Sequence, residues 1–113
     1  MRFASIRAFA LTLPETTEEP HHQFGSFRVR GKIFVTVPPD QAHIHVFVSE
    51  QQREQAIAMY PSFTEKLLWG GKVVGVRVSL AEAEPDVVKT LVRLAWEHKA
   101  PKALSQGKAG SRA

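Results

Sequence analysis

Four of the five histidines occur as two close pairs, His21 with His22 and His43 with His45. His43 and His45 are two residues apart in an alternating apolar segment, so their rings share one side of a strand. This spacing suits Zn²⁺ or Ni²⁺ if His21 or His22 supplies a third ligand. The alternative is that all four are solvated strand residues, partly paired with nearby glutamates. We expect neither a metal nor a cofactor. If a metal does bind, His43 and His45 are the candidate ligands.

A second group of residues has the chemistry to contact a nucleic acid. Basic side chains cluster around a predicted hairpin turn at Gly31, where they are placed to contact phosphates, and Trp69 offers a surface for base stacking. The alternative is that these cations form a solubilising polar face and a charged hairpin tip. The candidate nucleic-acid contacts are Arg28, Arg30, Lys32, Trp69, Lys72 and Arg77.

The net charge of +4 lies mostly near the C-terminal end of the sequence. Residues 1–60 carry six basic and six acidic side chains, and residues 61–99 carry six basic and five acidic ones. Residues 101–113 add three basic side chains and no acidic one, in an Ala-, Gly- and Ser-rich tail that we expect to be mobile. The nearly neutral body is therefore poor evidence for a broad basic binding face.

Motifs for nucleophilic or phosphate chemistry are missing from the sequence. There is no cysteine, which excludes thiolate nucleophiles, disulfides and Cys-ligated zinc. No serine lies in a G-x-S-x-G pattern, and Gly70-Gly71-Lys72 is too short for a Walker loop. The spacing of the carboxylates indicates no acid–base pair. We therefore expect no enzymatic activity.

The elements that position these residues follow from periodicity and turn residues. Helical spacing of apolar residues predicts a helix that stops at Pro14, followed by the polar, turn-rich segment ETTEEPHH. Alternating patterns then predict strands, and a capping box at Ser49 and Gln52 opens a second helix. The predicted helices cover residues 2–13, 49–59 and 85–100, and the predicted strands cover 24–30, 33–37, 42–48 and 73–79.

Two points of this assignment stay open. Residues 62–69 are ambiguous between a strand and irregular structure. The first hairpin has two possible registers, since a two-residue turn pairs Phe27 with Phe34 and a three-residue turn pairs Phe27 with Val35. The two registers send opposite sets of side chains to the core, and both faces carry apolar residues.

Together these elements predict a single two-layer α+β domain over residues 1–100. Its antiparallel five-stranded sheet carries helices on one face. The start, MRFASIRAFALTL, has the basic-then-apolar pattern of a signal peptide, but Arg7 interrupts it and no cleavage site follows. No apolar run approaches the roughly 20 residues of a membrane helix. We expect a cytoplasmic protein without a membrane partner.

Four stretches, LPETTEEPHH, SFRVRGKIFV, VVGVRVSL and WEHKAPKAL, together resemble the MmcQ/YjbR family of small bacterial proteins. They occur in the family's order between Leu13 and Leu104, and the segment FRVRGKIF is the most specific. The resemblance implies the element order α-β3-α-β2-α, a fold similar to that of secretion chaperones, and the label DNA-binding. Family members often carry a Trp at the start of the penultimate strand, where this chain has Val73 or Val74. The resemblance brings no catalytic residues with it.

The expected function is a non-catalytic binding module with DNA as the leading partner, bound through the basic hairpin and the sheet face. The alternative is an adapter for a protein, a peptide or a small ligand. A contiguous basic patch on the uncovered sheet face favours nucleic acid, whereas an apolar groove there favours a peptide or ligand.

Overall fold

The computed structural model describes residues 1–105. Three helices and five of the six strands correspond to elements expected from the sequence, with ends that differ by a few residues. The ambiguous segment at residues 62–69 contains a strand. In chain order the elements are α1 (Phe3–Ala10), β1 (Thr16–His21), β2 (Phe24–Val29), β3 (Lys32–Val37), β4 (His43–Val46), α2 (Glu50–Met59), β5 (Thr64–Trp69), β6 (Lys72–Ser79) and α3 (Pro85–Lys99).

The antiparallel sheet has six strands, and the prediction of five is wrong because it omits β1. This strand occupies the segment predicted as a polar connection, and it pairs with β2 so that His21 lies opposite Phe24. It lies at the sheet edge with mostly exposed side chains, so it lacks the apolar alternation that reveals a strand. Pro20 is tolerated there because an edge strand need not donate every N–H. The strand order is β1-β2-β3-β4-β6-β5, and the chain order is α-β4-α-β2-α.

The β2–β3 hairpin combines features of both registers that the sequence leaves open. Its turn has two residues, Arg30 and Gly31, whose φ angles of 48° and 83° match a type I′ turn. A bulge beside Phe27 then places Phe27 opposite Val35. Phe34 is the extra residue, and both Phe34 and Val35 are fully buried. The bulge therefore allows two consecutive residues of one strand to pack in the core.

All three helices pack around a single hydrophobic core on one face of the sheet. The strands contribute buried residues that include Phe27, Val35, Ile44 and Val76. The helices contribute Ile6, Ala10, Ala56, Val88, Leu91, Val92, Ala95 and Trp96. We call the opposite face of the sheet, which points away from this core, the open face.

The ends of the two later helices follow different capping rules. Ser49 and Gln52 form the predicted capping box at the start of α2, because each side chain accepts a hydrogen bond from the other's backbone N–H. Glu84 occupies the N-cap position of α3 but makes no capping hydrogen bond through its side chain, and Pro85 takes the first helical position.

The start of the predicted tail is part of the described structure. Residues 102–105 form one helical turn, in which Leu104 is partly buried against the core. The remaining residues of the tail, 106–113, lie outside the described residues. Within residues 1–105, no helix is long and apolar enough to cross a membrane.

Candidate functional site

One polar side chain from each of the six strands lies in a row across the open face. Residues paired across antiparallel strands point to the same face, and five successive pairings connect the row. We call it the polar row: Glu19, Ser26, Thr36, His45, Arg77 and Glu65. Its centre is buried, with exposed fractions of 1% for Thr36 and 3% for His45. Its two terminal glutamates are exposed.

His45 is the buried titratable group of this row. Its Nδ1 lies 3.1 Å from the hydroxyl oxygen of Thr36. Its Nε2 exposes less than 1 Å² and has no hydrogen-bond partner among residues 1–105. Burial lowers the pKa of His45 to about 4, with further lowering by the positive charge of Arg77 and by His43. The imidazole is therefore neutral at physiological pH.

Aromatic rings cover His45 on the open face. The ring of Phe24 lies 6.0 Å from the imidazole, and the indole of Trp69 meets the imidazole edge-on at 6.4 Å, both measured between ring centroids. Phe47 lies 5.4 Å from Trp69 and extends the aromatic group towards β6. Trp69 is 45% exposed, so the cover is open to solvent on its outer side.

A pocket of about 190 Å³ opens within this aromatic group. It is lined by His21, His22, Phe24, Thr36 and Trp69. Three of these residues, Phe24, Thr36 and Trp69, also neighbour the ring of His45. His45 itself does not line the pocket, but its imidazole adjoins the pocket through these three neighbours.

Gly75 and a second bulge shape the side of this site formed by the β5–β6 hairpin. A Cβ at Gly75 would lie 2.7 Å from the carbonyl oxygen of Val46 and 3.1 Å from the ring of Phe47, so only glycine fits there. The bulge lies between Leu67 and Leu68, just before Trp69. Because a bulge bends its strand, it helps to bring Trp69 over the open face.

The three arginines among the predicted nucleic-acid contacts all interact with carboxylates. Arg30 binds Glu15 at two points, with distances of 2.7 and 2.9 Å, and this lowers the pKa of Glu15. Arg77 lies 3.4 Å from a carboxylate oxygen of Glu65.

Arg28 lies closer to two neutral hydrogen-bond acceptors than to the carboxylate of Glu19. It donates to Ser26 and to the carbonyl oxygen of Pro20, both at 3.1 Å, and lies 4.0 Å from Glu19. These guanidinium groups are therefore largely occupied within the protein. The two arginines on the open face, Arg28 and Arg77, each lie within 4.0 Å of a carboxylate oxygen in the described chain.

The two lysines of the predicted set lie beside hairpin turns. Lys32 follows the β2–β3 turn and Lys72 follows the β5–β6 turn. The pairing of β3 with β4 and of β4 with β6 places both turns at the same end of the sheet. Both side chains are exposed, and within the described chain neither has a carboxylate within 4 Å.

The predicted metal ligands share a face but do not gain a third partner. His43 and His45 both point to the open face, and Nδ1 of His43 lies 3.3 Å from a carboxylate oxygen of Asp40. The rings of His21 and His22 neighbour each other at 4.6 Å. Across residues 1–105, no group of three or more His, Cys, Asp or Glu side chains is placed to hold a metal ion.

Three other cavities among the described residues are larger, and one of them, of about 230 Å³, is lined by Glu65 and Arg77 of the polar row. A mainly apolar groove of about 290 Å³ lies between α2 and α3, bordered by Ala56, Met59 and Leu91. A cavity of about 470 Å³ at the β1–β2 and β3–β4 loops shares His22 and Phe24 with the aromatic pocket. None of the three is lined by Thr36 or Trp69, which line the aromatic pocket and neighbour His45.

Sequence reasoning identified His45, Trp69 and Arg77 but did not bring them together. It omitted Phe24 and Thr36 because a Phe at the start of a strand and a Thr within one are typical of any half-buried sheet. The available signal was alternation, since Thr36 is the one polar residue in the run Ile33–Val37. A polar residue surrounded by apolar ones in a buried strand is expected to have a hydrogen-bond partner.

Comparisons with known proteins identify the family and the fold. The family model described as YjbR matches residues 11–98 of this chain. No curated protein sequence matches the chain. Among solved structures, the crystal structure of Deinococcus radiodurans protein DR2400, with the domain DUF419, is similar at a TM-score of 0.72 and 16% identity. The similarity covers 84% of this chain and 75% of that one. Because the family model spans most of the sequence, the chain belongs to the YjbR family.

Proposed function

We propose that this protein is a non-catalytic binding module that takes a small aromatic ligand on the open face of its sheet. The observation that carries the proposal is a pocket lined by Phe24 and Trp69, two rings that also neighbour the buried imidazole of His45. Nε2 of that imidazole has no hydrogen-bond partner in residues 1–105. Ligand sites typically combine apolar and aromatic walls with a few placed polar groups. A dry apolar cavity of about 150 Å³ holds benzene, so this pocket of about 190 Å³ suits a single ring system.

The charges around the pocket support a ligand of low net charge. Arg77 and Glu65 offset each other on the open face, as do Arg28 and Glu19. A strongly anionic partner would have to displace these carboxylates from the arginines. Low net charge therefore favours the small-ligand alternative over duplex DNA for this face.

The two tryptophans of the chain permit a direct test by NMR. Trp69 borders the pocket, whereas Trp96 is buried in the core and serves as an internal control. Titration with toluene or phenol is expected to shift the indole N–H signal of Trp69 and leave that of Trp96 in place. The variant Trp69→Phe assigns the two signals. The proposal fails if the Trp69 signal does not respond, or if both signals move equally.

A second candidate function is DNA binding by the two hairpin tips. It is favoured by Lys32 and Lys72, which lie exposed at the same end of the sheet. Removal of one phosphate-binding lysine should reduce the salt slope of binding by about 0.9 on B-DNA. The variant Lys32→Glu/Lys72→Glu is therefore expected to weaken binding and flatten its salt dependence.

The control for this candidate is Lys89→Glu/Lys99→Glu on α3, which makes the same change in net charge. A further variant, Lys102→Gln/Lys108→Gln/Arg112→Gln, separates any contribution of the basic tail. Fluorescence anisotropy with a labelled duplex at several salt concentrations measures all four proteins. Equal weakening by the hairpin and the α3 variants would argue against a role for the hairpin tips.

A further inference from the structure

His45 leaves one hydrogen-bonding nitrogen unused in a buried position. Its Nδ1 pairs with the hydroxyl of Thr36, while Nε2 is covered and has no partner in residues 1–105. A neutral imidazole has one N–H and one lone pair. If Nδ1 donates to Thr36, then Nε2 presents a lone pair, and if Thr36 donates to Nδ1, then Nε2 presents an N–H. Both tautomers leave an unmet hydrogen bond on a ring that adjoins the residues of the aromatic pocket.

Of the two rings nearest His45, Trp69 is held less firmly. Phe24 is half-buried and lies within the sheet, opposite His21 in the β1–β2 pairing. Trp69 is the last residue of β5, before Gly70 and Gly71, and it is 45% exposed. In the part of the chain that the structure describes, the tryptophan indole N–H that donates a hydrogen bond is that of Trp96, not that of Trp69. Rotation of the Trp69 side chain therefore removes one of the two aromatic rings beside the imidazole without breaking a hydrogen bond in the described chain.

The surroundings of Nε2 disfavour a charged ligand group. The pocket is lined by Phe24, Trp69, Thr36 and the imidazoles of His21 and His22, and burying a carboxylate there costs free energy unless a cation pairs with it. The nearest cationic side chain of the polar row, Arg77, already lies 3.4 Å from Glu65. A neutral group that both donates and accepts hydrogen bonds satisfies Nε2 in either tautomer. An aromatic hydroxyl is the simplest group of that kind on a flat ring.

We infer that the open-face pocket binds a neutral aromatic ring bearing a hydroxyl group, which forms a hydrogen bond with Nε2 of His45 once the indole of Trp69 rotates aside. This inference rests on the proposed function, because it names the ligand class for the same pocket. His45 supplies the specificity, and Phe24 and Trp69 supply the apolar contact. The contribution of the hydroxyl group to the binding free energy can be measured separately from that of the aromatic ring.

The matched probes phenol and toluene test this inference on the full chain. They have similar shapes, but toluene has a methyl group where phenol has the hydroxyl. A net hydrogen bond of about 0.5–1.5 kcal/mol corresponds to phenol binding roughly 2- to 10-fold more tightly than toluene. Phenol, but not toluene, is also expected to shift the ¹⁵N signal of His45 Nε2. Benzoate, an anionic probe, is expected to bind more weakly than phenol.

The variant Thr36→Val/His45→Phe replaces both hydrogen-bonding partners with apolar side chains. It is expected to bind phenol and toluene equally, which removes the difference seen in the native protein. The ¹⁵N measurement on the native chain keeps the test decisive if this variant does not fold.

The outcomes distinguish the ligand class from the existence of the binding site. Equal binding of phenol and toluene to the native protein, or tighter binding of benzoate, overturns the ligand class while leaving the pocket in place. A preference for phenol that persists in the double variant overturns the role of His45. The absence of any Trp69 response to phenol and toluene overturns the proposed function itself.

Discussion

The indole Nε1 of Trp96 donates a hydrogen bond to the carbonyl oxygen of Pro14 at 3.0 Å, although 82 positions separate the two residues. Trp96 lies near the end of α3, and Pro14 lies in the turn that follows α1. The bond therefore ties the last helix to the connection between the first helix and β1. The second tryptophan, Trp69, makes no such bond in residues 1–105 and lies on the opposite face of the sheet.

The first prediction compares the two tryptophans as a matched pair. Trp96→Phe should lower the free energy of unfolding by about 1–3 kcal/mol, because it leaves the partly buried carbonyl of Pro14 without its donor. Trp69→Phe should change it by no more than about 0.5 kcal/mol, since that side chain is largely at the surface. Chemical denaturation followed by circular dichroism measures both. A larger loss for Trp69→Phe than for Trp96→Phe would contradict this assignment.

The second prediction concerns Gly75 in the β4–β6 pair. Gly75→Ala should destabilise the protein by about 1–3 kcal/mol, because the added Cβ meets the backbone oxygen of Val46 at 2.7 Å. Gly25→Ala is the control, since a Cβ there meets only the Cβ of Val37 at 3.8 Å. The control should leave the urea midpoint nearly unchanged. Similar midpoints for the two variants would show that β4 and β6 are less closely packed than described.

The third prediction follows from the lowered pKa of His45, which is about 4 in the folded protein against an ordinary value of 6.5. The unfolded chain binds more protons between these values, so stability is complete above about pH 6.5 and falls as the pH decreases. From about pH 6.5 to about pH 5, the loss should be about 2 kcal/mol.

The experiment for this third prediction is urea denaturation across that pH range. The lowered pKa values of Glu15 and Asp40 keep both carboxylates charged there, so they contribute little to the slope. Thr36→Val/His45→Phe should show a much flatter dependence than the native protein. If both proteins lose stability in parallel, another group is responsible for the acid sensitivity.

The fourth prediction is that the carboxylates paired with Arg30 and Arg77 limit any binding to DNA. Glu15→Gln/Glu65→Gln releases Arg30 and Arg77 from their ion pairs, so it should tighten duplex binding and steepen its salt dependence. Glu50→Gln/Glu54→Gln on α2 makes the same change in net charge away from these arginines. Anisotropy titrations compare the two. Equal gains would mean that net charge alone accounts for the effect.

The sequence predicts most of the fold because apolar alternation and turn residues are local signals. The positions of β2, β3 and β6, the capping box of α2 and the apolar stripe of α3 are all visible in this way. β1 escapes prediction since its side chains are exposed and it forms only by pairing with β2. The register of the first hairpin cannot be predicted from the sequence either, because the bulge at Phe34 does not change the pattern of apolar and polar residues.

The candidate site is harder to predict because it depends on pairings between distant strands. Thr36, His45 and Arg77 become neighbours only through the order β3-β4-β6, which no local pattern specifies. The basic residues of the sequence suggest arginines available for phosphates, yet their carboxylate partners come from other strands and turns. Side-chain charge is visible in a sequence, whereas its neutralisation by a neighbour is not.

The insertion of β6 between β4 and β5 has a consequence for how the protein acquires its pocket. Pairing Val46 with Val76 closes a loop that contains α2 and β5, so it is entropically costlier than forming the local hairpins. The meander from β1 to β4 already contains Phe24, Thr36 and His45, but Trp69 arrives only with the β5–β6 hairpin. A chain in which only this meander has formed therefore lacks the Trp69 wall of the pocket. The proposed ligand recognition therefore requires that the two halves of the sheet have joined.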